Sequence, residues 1–325
     1  TGGEGGDTVD TYLLSEYAEE SGLSPSEALY QLLKAHQKSE SEGLIVYVDL
    51  TLSQDGLSES KIDIKDVENV SILGVGDAGE LDGVGFKVTR TQNLIIRNLT
   101  IHHVSEGEGD AIEVTDNSSH VWIDHNDLFS ERDNEPDKDY YDGLVDIKRN
   151  SEYITVSWNT IHDHWKTSLV GHNDSADQAP DKITYHNNAF TSLNSRVPLI
   201  RHADVHMLNN VFTDINGSAI NARMGARVLV EGNWFENVAP ARWTRTPATS
   251  RARSAGSTAA PRPATGTWWT TPSSTAPTNT WSPPRTSPCP TATRRTPRPP
   301  PRRPWNSTRA PASSTSPPDY CERLQ

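Results

Sequence analysis

Two short stretches of the chain carry closely spaced carboxylates. "EGEGDAIEV" holds Glu108 and Asp110 two residues apart, and "YYDGLVDIKR" holds Asp142 and Asp146 four apart. Even spacing along an extended strand sends side chains to one face. Asp110 and Asp142 are 32 residues apart, close to one coil of a repeat described below. Carboxylates on neighbouring coils would then lie about 5 Å from one another. Charges that close repel unless a cation sits among them. With hard oxygen donors and no cysteine in the region, Ca2+ suits the cluster better than a transition metal. The same residues would also serve as a solvated face on an acidic protein, and spacing alone leaves both readings open.

Cations follow in a related phase. Lys166 lies seven residues after Asn159, Arg196 eight after Asn188, and Arg201 five further on in "NSRVPLIR". That shared phase would set Lys166 beside Arg196 on successive coils, next to the acidic cluster. Taken singly, each is an ordinary surface charge. Together they suit a polyanion, some of whose charges bridge a metal while others pair with Lys or Arg.

The elements that must position these residues repeat along the chain. "VWIDHNDL", "ITVSWNTI", "ITYHNNAF", "VHMLNNVF" and "VLVEGNWF" share one pattern, an apolar residue, four others, Asn, one more, then an apolar residue. Their asparagines are Asn126, Asn159, Asn188, Asn210 and Asn233, spaced by 33, 29, 22 and 23 residues. "NLIIRNLTI" (Asn93–Ile101) is a looser copy, and "NVSILGVG" (Asn69–Gly76) an earlier one. Alternation within each copy indicates strands, and a period of this length indicates a solenoid. The shorter spacings leave little room for crossover helices. The expectation is an all-β, right-handed parallel β-helix with the asparagines stacked in a ladder; turn asparagines of a β-sandwich are the alternative. "SPSEALYQLLKAHQKSE" (Ser24–Glu40) is the helical exception. Ser24 is a candidate N-cap, Pro25 follows it, and Ala28, Leu29, Leu32 and Leu33 form an apolar face. Solenoids need such end caps.

Composition divides the chain near residue 240. The first 240 residues hold 17 Lys or Arg against 41 Asp or Glu, whereas 241–325 hold 13 Arg, no Lys and two acids. That tail contains 17 of the 22 prolines and a single large aliphatic residue, Leu324. It cannot bury enough apolar surface to offset the entropy of ordering, so an irregular C-terminal region is expected. Both cysteines, Cys289 and Cys321, lie there, which excludes a disulfide framework for the first 240 residues. No run of about 18 apolar residues is present to span a membrane. No signal peptide is visible in "TGGEGGDTVD" at the start.

Read together, "VWIDHNDLF", "YYDGLVDIKRNSEYITVSWNTIHDHWKTSLVGHND", "ITYHNNAFTSLNSRVPLIR", "VHMLNNVF" and "INARMGARVLVEGNWFENV" resemble the polysaccharide lyase family 1 pectate lyases. The resemblance is dense over residues 67–240 and looser at "GGEGGDTV". It implies the right-handed parallel β-helix and Ca2+-dependent β-elimination of polygalacturonate by a secreted monomer, with no nucleic-acid or membrane partner. Residue by residue, it implies Asp110, Asp142 and Asp146 as calcium ligands and Glu108 as a ligand to an extra calcium bound with substrate. Arg196 would be the catalytic base, and Lys166 and Arg201 would bind substrate carboxylates. Asp124 and His125 of "VWIDH" would be mainly structural. An arginine base acts only when deprotonated, so an alkaline optimum and sensitivity to chelators are implied. A pectin lyase would have little use for the aspartate set. A polygalacturonase would hydrolyse with paired carboxylates, and a non-catalytic pectin-binding solenoid would yield no product.

The resemblance stops at "ENVAPA". Shifted by one base, "RWTRTPATSRARSAGSTAA" can be read as "VDPDTGDVEGPVGWFYGS", the kind of segment that follows in the family. The expectation is a β-helix domain at 1–240, C-terminally incomplete, and a frameshifted, disordered tail at 241–325. A natural Pro/Thr linker or basic tail is the alternative.

Overall fold

The structure is a computed structural model that describes residues 8–105, 109–132 and 140–239, and the backbone of 249–253. All of these belong to one compact unit, Thr1–Ala260. Its strands assemble into sheets of ten, eight and seven strands, and every strand pairing in them is parallel. One coil shows the plan. Ser119–Asp124 joins the ten-stranded sheet, Asp127–Phe129 the eight-stranded sheet and Val145–Ile147 the seven-stranded sheet. The chain then returns to the ten-stranded sheet at Glu152–Ser157, one strand further along. This is the parallel β-helix that the repeat predicts.

Alternating residues of each strand point into the core. Val121, Ile123, Leu128, Val145 and Ile147 are fully or almost fully buried in this coil. Each such side chain contributes about 1.5–3 kcal/mol relative to exposure. The next coils repeat the arrangement, and Phe190, Phe212 and Phe235 stack in a column at centroid spacings of 4.9 and 4.6 Å.

The asparagines form the expected ladder. Asn126 Nδ2 donates to Asn159 Oδ1 at 3.0 Å, Asn159 to Asn188 at 3.0 Å, Asn188 to Asn210 at 2.9 Å and Asn210 to Asn233 at 2.9 Å. Each receiving oxygen also takes the backbone N–H of the preceding asparagine, for example Asn126 N at 2.9 Å. The looser copy does not join through its own asparagine. Leu99 holds the ladder position, and its N–H donates to Asn126 Oδ1, while Asn98 points outward to the carbonyls of Gly74 and Gly76.

The expected helix forms over Pro25–His36, ending four residues before Glu40, with the Ser24 side chain accepting from Glu27 N–H. Leu29, Leu32 and Leu33 enter the same core as Leu44, Leu52 and Ile62, so this helix closes the N-terminal end of the solenoid. A second helix, Leu14–Ser21, precedes it. At the far end of the described solenoid, Trp234 and Phe235 are exposed. Thr249–Arg253 then pairs in parallel with Arg227–Glu231. The rest of the tail, with both cysteines and the expected break near 240, lies outside the described residues. No helix among the described residues is long and apolar enough to cross a membrane.

Candidate functional site

The acidic residues singled out by the sequence gather at the seven-stranded sheet. Asp146 lies within Val145–Ile147, and Asp110 precedes the neighbouring strand Ile112–Thr115. Asp142 N–H donates to the carbonyl of Gly109 at 3.2 Å, which sets Asp142 next to Asp110 on adjacent coils, as the 32-residue spacing predicts. Asp110 and Asp146 are almost wholly buried, and Asp142 is partly exposed. Glu108 lies outside the described residues.

Two lysines that the sequence reading did not single out, the buried Lys61 and the half-buried Lys148, stand behind these carboxylates. Lys148 Nζ is 2.9 Å from Asp110 Oδ2, 3.4 Å from Asp146 Oδ2 and 3.5 Å from Glu113 Oε1. Lys61 Nζ lies 4.0 Å from both Asp110 Oδ2 and Glu113 Oε2. Burial, and then the charge of Asp110, push Asp146 well above the usual carboxylate range. Burial also raises Asp110, against the attraction of Lys148 and Lys61. Burial alone would lower Lys148, but the charges of Asp146, Asp110 and Glu113 hold its ammonium above the usual lysine range. Two lysines thus do not neutralise the cluster fully, and both aspartates remain shifted upward.

The remaining oxygens fit a hard divalent cation. Asp110 Oδ1 is buried and has no hydrogen-bond partner among the described residues. A Cβ at Gly143 would collide with Asp110 Oδ1 and Asp146 Oδ1, so glycine leaves open the space on which both atoms border. All donors here are oxygens, the set that Ca2+ takes. Asp142 is turned aside, with Oδ1 at 2.6 Å from Lys166 Nζ. Its backbone is held by His164, whose Nε2–H donates to the Asp142 carbonyl at 3.1 Å. His164 Nδ1 therefore accepts from Ser130 Oγ. Burial lowers the His164 pKa to about 4, so the ring is neutral in this role.

The three cations line the next coils of the same region. Lys166 ends the strand Thr160–Lys166 and pairs in register with Ser195, one residue before Arg196. The Arg196 carbonyl accepts from Ser168 N–H at 2.7 Å, which ties the two coils together there. Arg196 is half-buried and takes a left-handed φ of 57°, a conformation unusual for a residue with a side chain. Arg201, in Leu199–Arg201, donates to the carbonyl of Gly171 at 3.3 Å and pairs with Asp174 at 3.0 Å. Burial lowers Arg201 below the ordinary arginine range; Asp174 opposes this, while Arg223 and Arg196 reinforce it.

Asp124 and His125 lie elsewhere, on the ten-stranded sheet. Asp124 accepts from Ser157 Oγ at 2.6 Å, lies 2.7 Å from His125 Nδ1 and pairs with Arg97 at 3.3 Å.

The molecule is thus a β-helix with a buried carboxylate group and cations close to it on the following coils. The pattern of the pectate lyase family matches residues 25–278, and the chain belongs to that family. It is 48% identical over 237 residues to a pectate trisaccharide-lyase of Bacillus licheniformis, covering 73% of this chain and 64% of that relative's length. Among solved structures, a pectate lyase from Bacillus sp. N165 in complex with trigalacturonate superposes with a TM-score of 0.71 at 48% identity. That match covers 78% of this chain and 82% of the other. Pectate lyase C of Erwinia chrysanthemi, a structure at pH 9.5 with 30 mM Ca2+, matches with a TM-score of 0.61 at 25% identity. It covers 77% of this chain and 76% of that one.

Proposed function

We propose that the protein is a secreted, calcium-dependent pectate lyase that cleaves the α-1,4 links of polygalacturonate by β-elimination. The observation that carries the proposal is the buried Asp110 and Asp146 pair, with Asp110 Oδ1 unpartnered among the described residues, beside Asp142, which Lys166 reaches at 2.6 Å, and with Arg196 and Arg201 on the following coil. Asp110, Asp142 and Asp146 would hold Ca2+, with Glu108 as a further ligand. Bound Ca2+ would neutralise the uronate carboxylate and make the adjacent proton easier to remove. Lys166 now pairs with Asp142 and would exchange that partner for a substrate carboxylate. Arg201 would hold a second carboxylate and fix the chain's register. Arg196, in its neutral form, would take the C5 proton. The C5–H electrons would form the new C4–C5 double bond as the C4–O bond breaks; the glycosidic oxygen would leave with that bond's electron pair and take a proton from solvent, giving one unsaturated end and one free sugar end. A guanidine acts as a base only when unprotonated, so the rate is expected to climb toward alkaline pH.

The test follows ultraviolet absorbance of the unsaturated product from polygalacturonate and from fully methylated pectin, with and without a chelator. Product from the unmethylated polymer alone, abolished by chelation and restored by Ca2+, is the expected result. Chelator-insensitive product, or faster reaction on the methylated polymer, would refute the proposal.

A further inference from the structure

A second cluster of ligand atoms lies on the eight-stranded sheet. Among the described residues, the one group of three or more His, Cys, Asp or Glu whose ligating atoms all fall within 4.8 Å of one another is Asp82, His102 and His103. We infer that these three residues form a binding site for a borderline divalent transition metal such as Zn2+.

The backbone assembles it. Asp82 and His102 are register partners on the adjacent parallel strands Glu80–Asp82 and Thr100–His102. In a continuing strand, His103 would point to the opposite face from His102. Instead His103 takes a left-handed φ of 53°, and its ring comes round to meet its neighbour. The two Nδ1 atoms lie 2.7 Å apart, and Asp82 Oδ1 is 3.5 Å from His102 Nδ1.

The outer nitrogens face carboxylates. His102 Nε2 lies 3.0 Å from Glu80 Oε1, and Glu80 Oε2 accepts from Thr51 Oγ1 at 2.7 Å. Hydrogen bonds from Thr51 and His102 hold Glu80 below the usual carboxylate range, so it stays ionised and can only accept. The proton of neutral His102 is therefore on Nε2, and Nδ1 presents a lone pair. His103 Nε2 faces Glu131 Oε1 at 3.8 Å. A hydrogen-bonded carboxylate, as Glu80 is to His102, is the usual support of metal-ligating histidines, because it fixes the tautomer and makes the ring a stronger donor. Phe129 stacks on His102 at 4.9 Å with an 8° tilt, which fixes the ring plane.

The inner space thus gathers the His102 lone pair, a carboxylate oxygen and the second imidazole nitrogen. One proton between the two Nδ1 atoms satisfies only one contact. A metal would satisfy all three, and two imidazoles with one carboxylate suit Zn2+, Co2+ or Ni2+ rather than Ca2+. The Asp82 side chain is 58% exposed, so an ion can enter from solvent.

The test uses the full chain without a histidine tag, saturated with Ca2+ and titrated with Co2+ by visible absorption and with Zn2+ by calorimetry. One equivalent of Co2+ with ligand-field bands, displaced by Zn2+, is expected. Asp82→Ala and His103→Ala should each lose that binding, and Glu80→Gln should weaken it about tenfold. Asp82→Asn, an exposed and nearly isosteric change, guards against misfolding and should also weaken binding while leaving the circular dichroism spectrum intact. Absence of the bands in the wild type, or bands unchanged in His103→Ala and Asp82→Asn, would overturn the site and leave a stacked histidine pair.

Discussion

The asparagine ladder and the aspartate cluster are both built from buried polar side chains on successive coils, yet their hydrogen bonding differs. Along the ladder, Asn159 Oδ1 accepts from Asn126 N and Nδ2, and Asn159 Nδ2 donates to Asn188 Oδ1 and the carbonyl of Ile123. The same set recurs at Asn188 and Asn210. In the cluster, Asp110 Oδ1 has no such partner among the described residues, and Asp110 and Asp146 are pushed toward their protonated forms. A buried polar group that is fully bonded holds a fold together; one left short is costly unless a ligand completes it. The contrast separates the residues that maintain the solenoid from those proposed to work on substrate.

The strongest way to test that separation is at Arg196. Arg196→Lys should cut the elimination rate by about 10²–10⁴-fold, the usual worth of a positioned base. Its urea midpoint should stay near wild type, because the side chain is half-buried and outside the core. Asn159→Ala should do the reverse. It strands Asn126 N, leaves Asn126 Nδ2 only its bond to the carbonyl of Ile96 and removes the side-chain donor to Asn188, at about 3 kcal/mol of stability measured by urea unfolding. The rate at temperatures where the variant is folded should be unchanged.

His164 sharpens the boundary, being buried like the ladder but attached to Asp142. Its folded pKa of about 4 lies below the unfolded value near 6.5. The unfolded chain therefore binds the extra proton first as pH falls. The stability contribution is complete above about pH 6.5 and is lost between there and about pH 4, amounting to roughly 3 kcal/mol. Urea midpoints at neutral and acid pH, compared with those of His164→Gln, should show a smaller acid loss in the variant. The smallest effect is expected at Leu99→Asn, which would extend the ladder by one rung where the Leu99 N–H already bonds Asn126 Oδ1. Stability should fall by about 1–2 kcal/mol, because Leu99 is buried in the core and the new amide bonds offset only part of the lost apolar burial.

The ladder was legible because one residue type recurs at one position of a repeat, and identical amides on neighbouring coils satisfy each other. The adjacency of Asp110 and Asp142 was legible for the same reason. The ladder's N-terminal end was less so: Asn98 stands four rather than five residues after Leu94, one residue out of phase, and Leu99 occupies the rung. Leu14–Ser21 escaped notice because it buries only Leu14 and Ala18, too short a stripe to show a helical period. Lys61, Glu113 and Lys148 were missed because they come from three different coils and follow no shared spacing. The pairing of His102 with Asp82 depends on strand register, and the inward turn of His103 depends on a single left-handed residue. Neither leaves a mark in composition or periodicity.

Calorimetric titration of Ca2+ into the wild type and Asp110→Asn, with thermal unfolding of both in the metal-free state, tests the contrast most directly. The expected result is Ca2+ affinity at least about tenfold weaker in the variant. Its metal-free thermal midpoint should equal or exceed that of the wild type, because a buried charge with an unpartnered oxygen has been removed. Equal affinity in the two proteins, or a variant that unfolds as early as Asn159→Ala, would contradict the claim that these carboxylates are kept for a cation rather than for the fold.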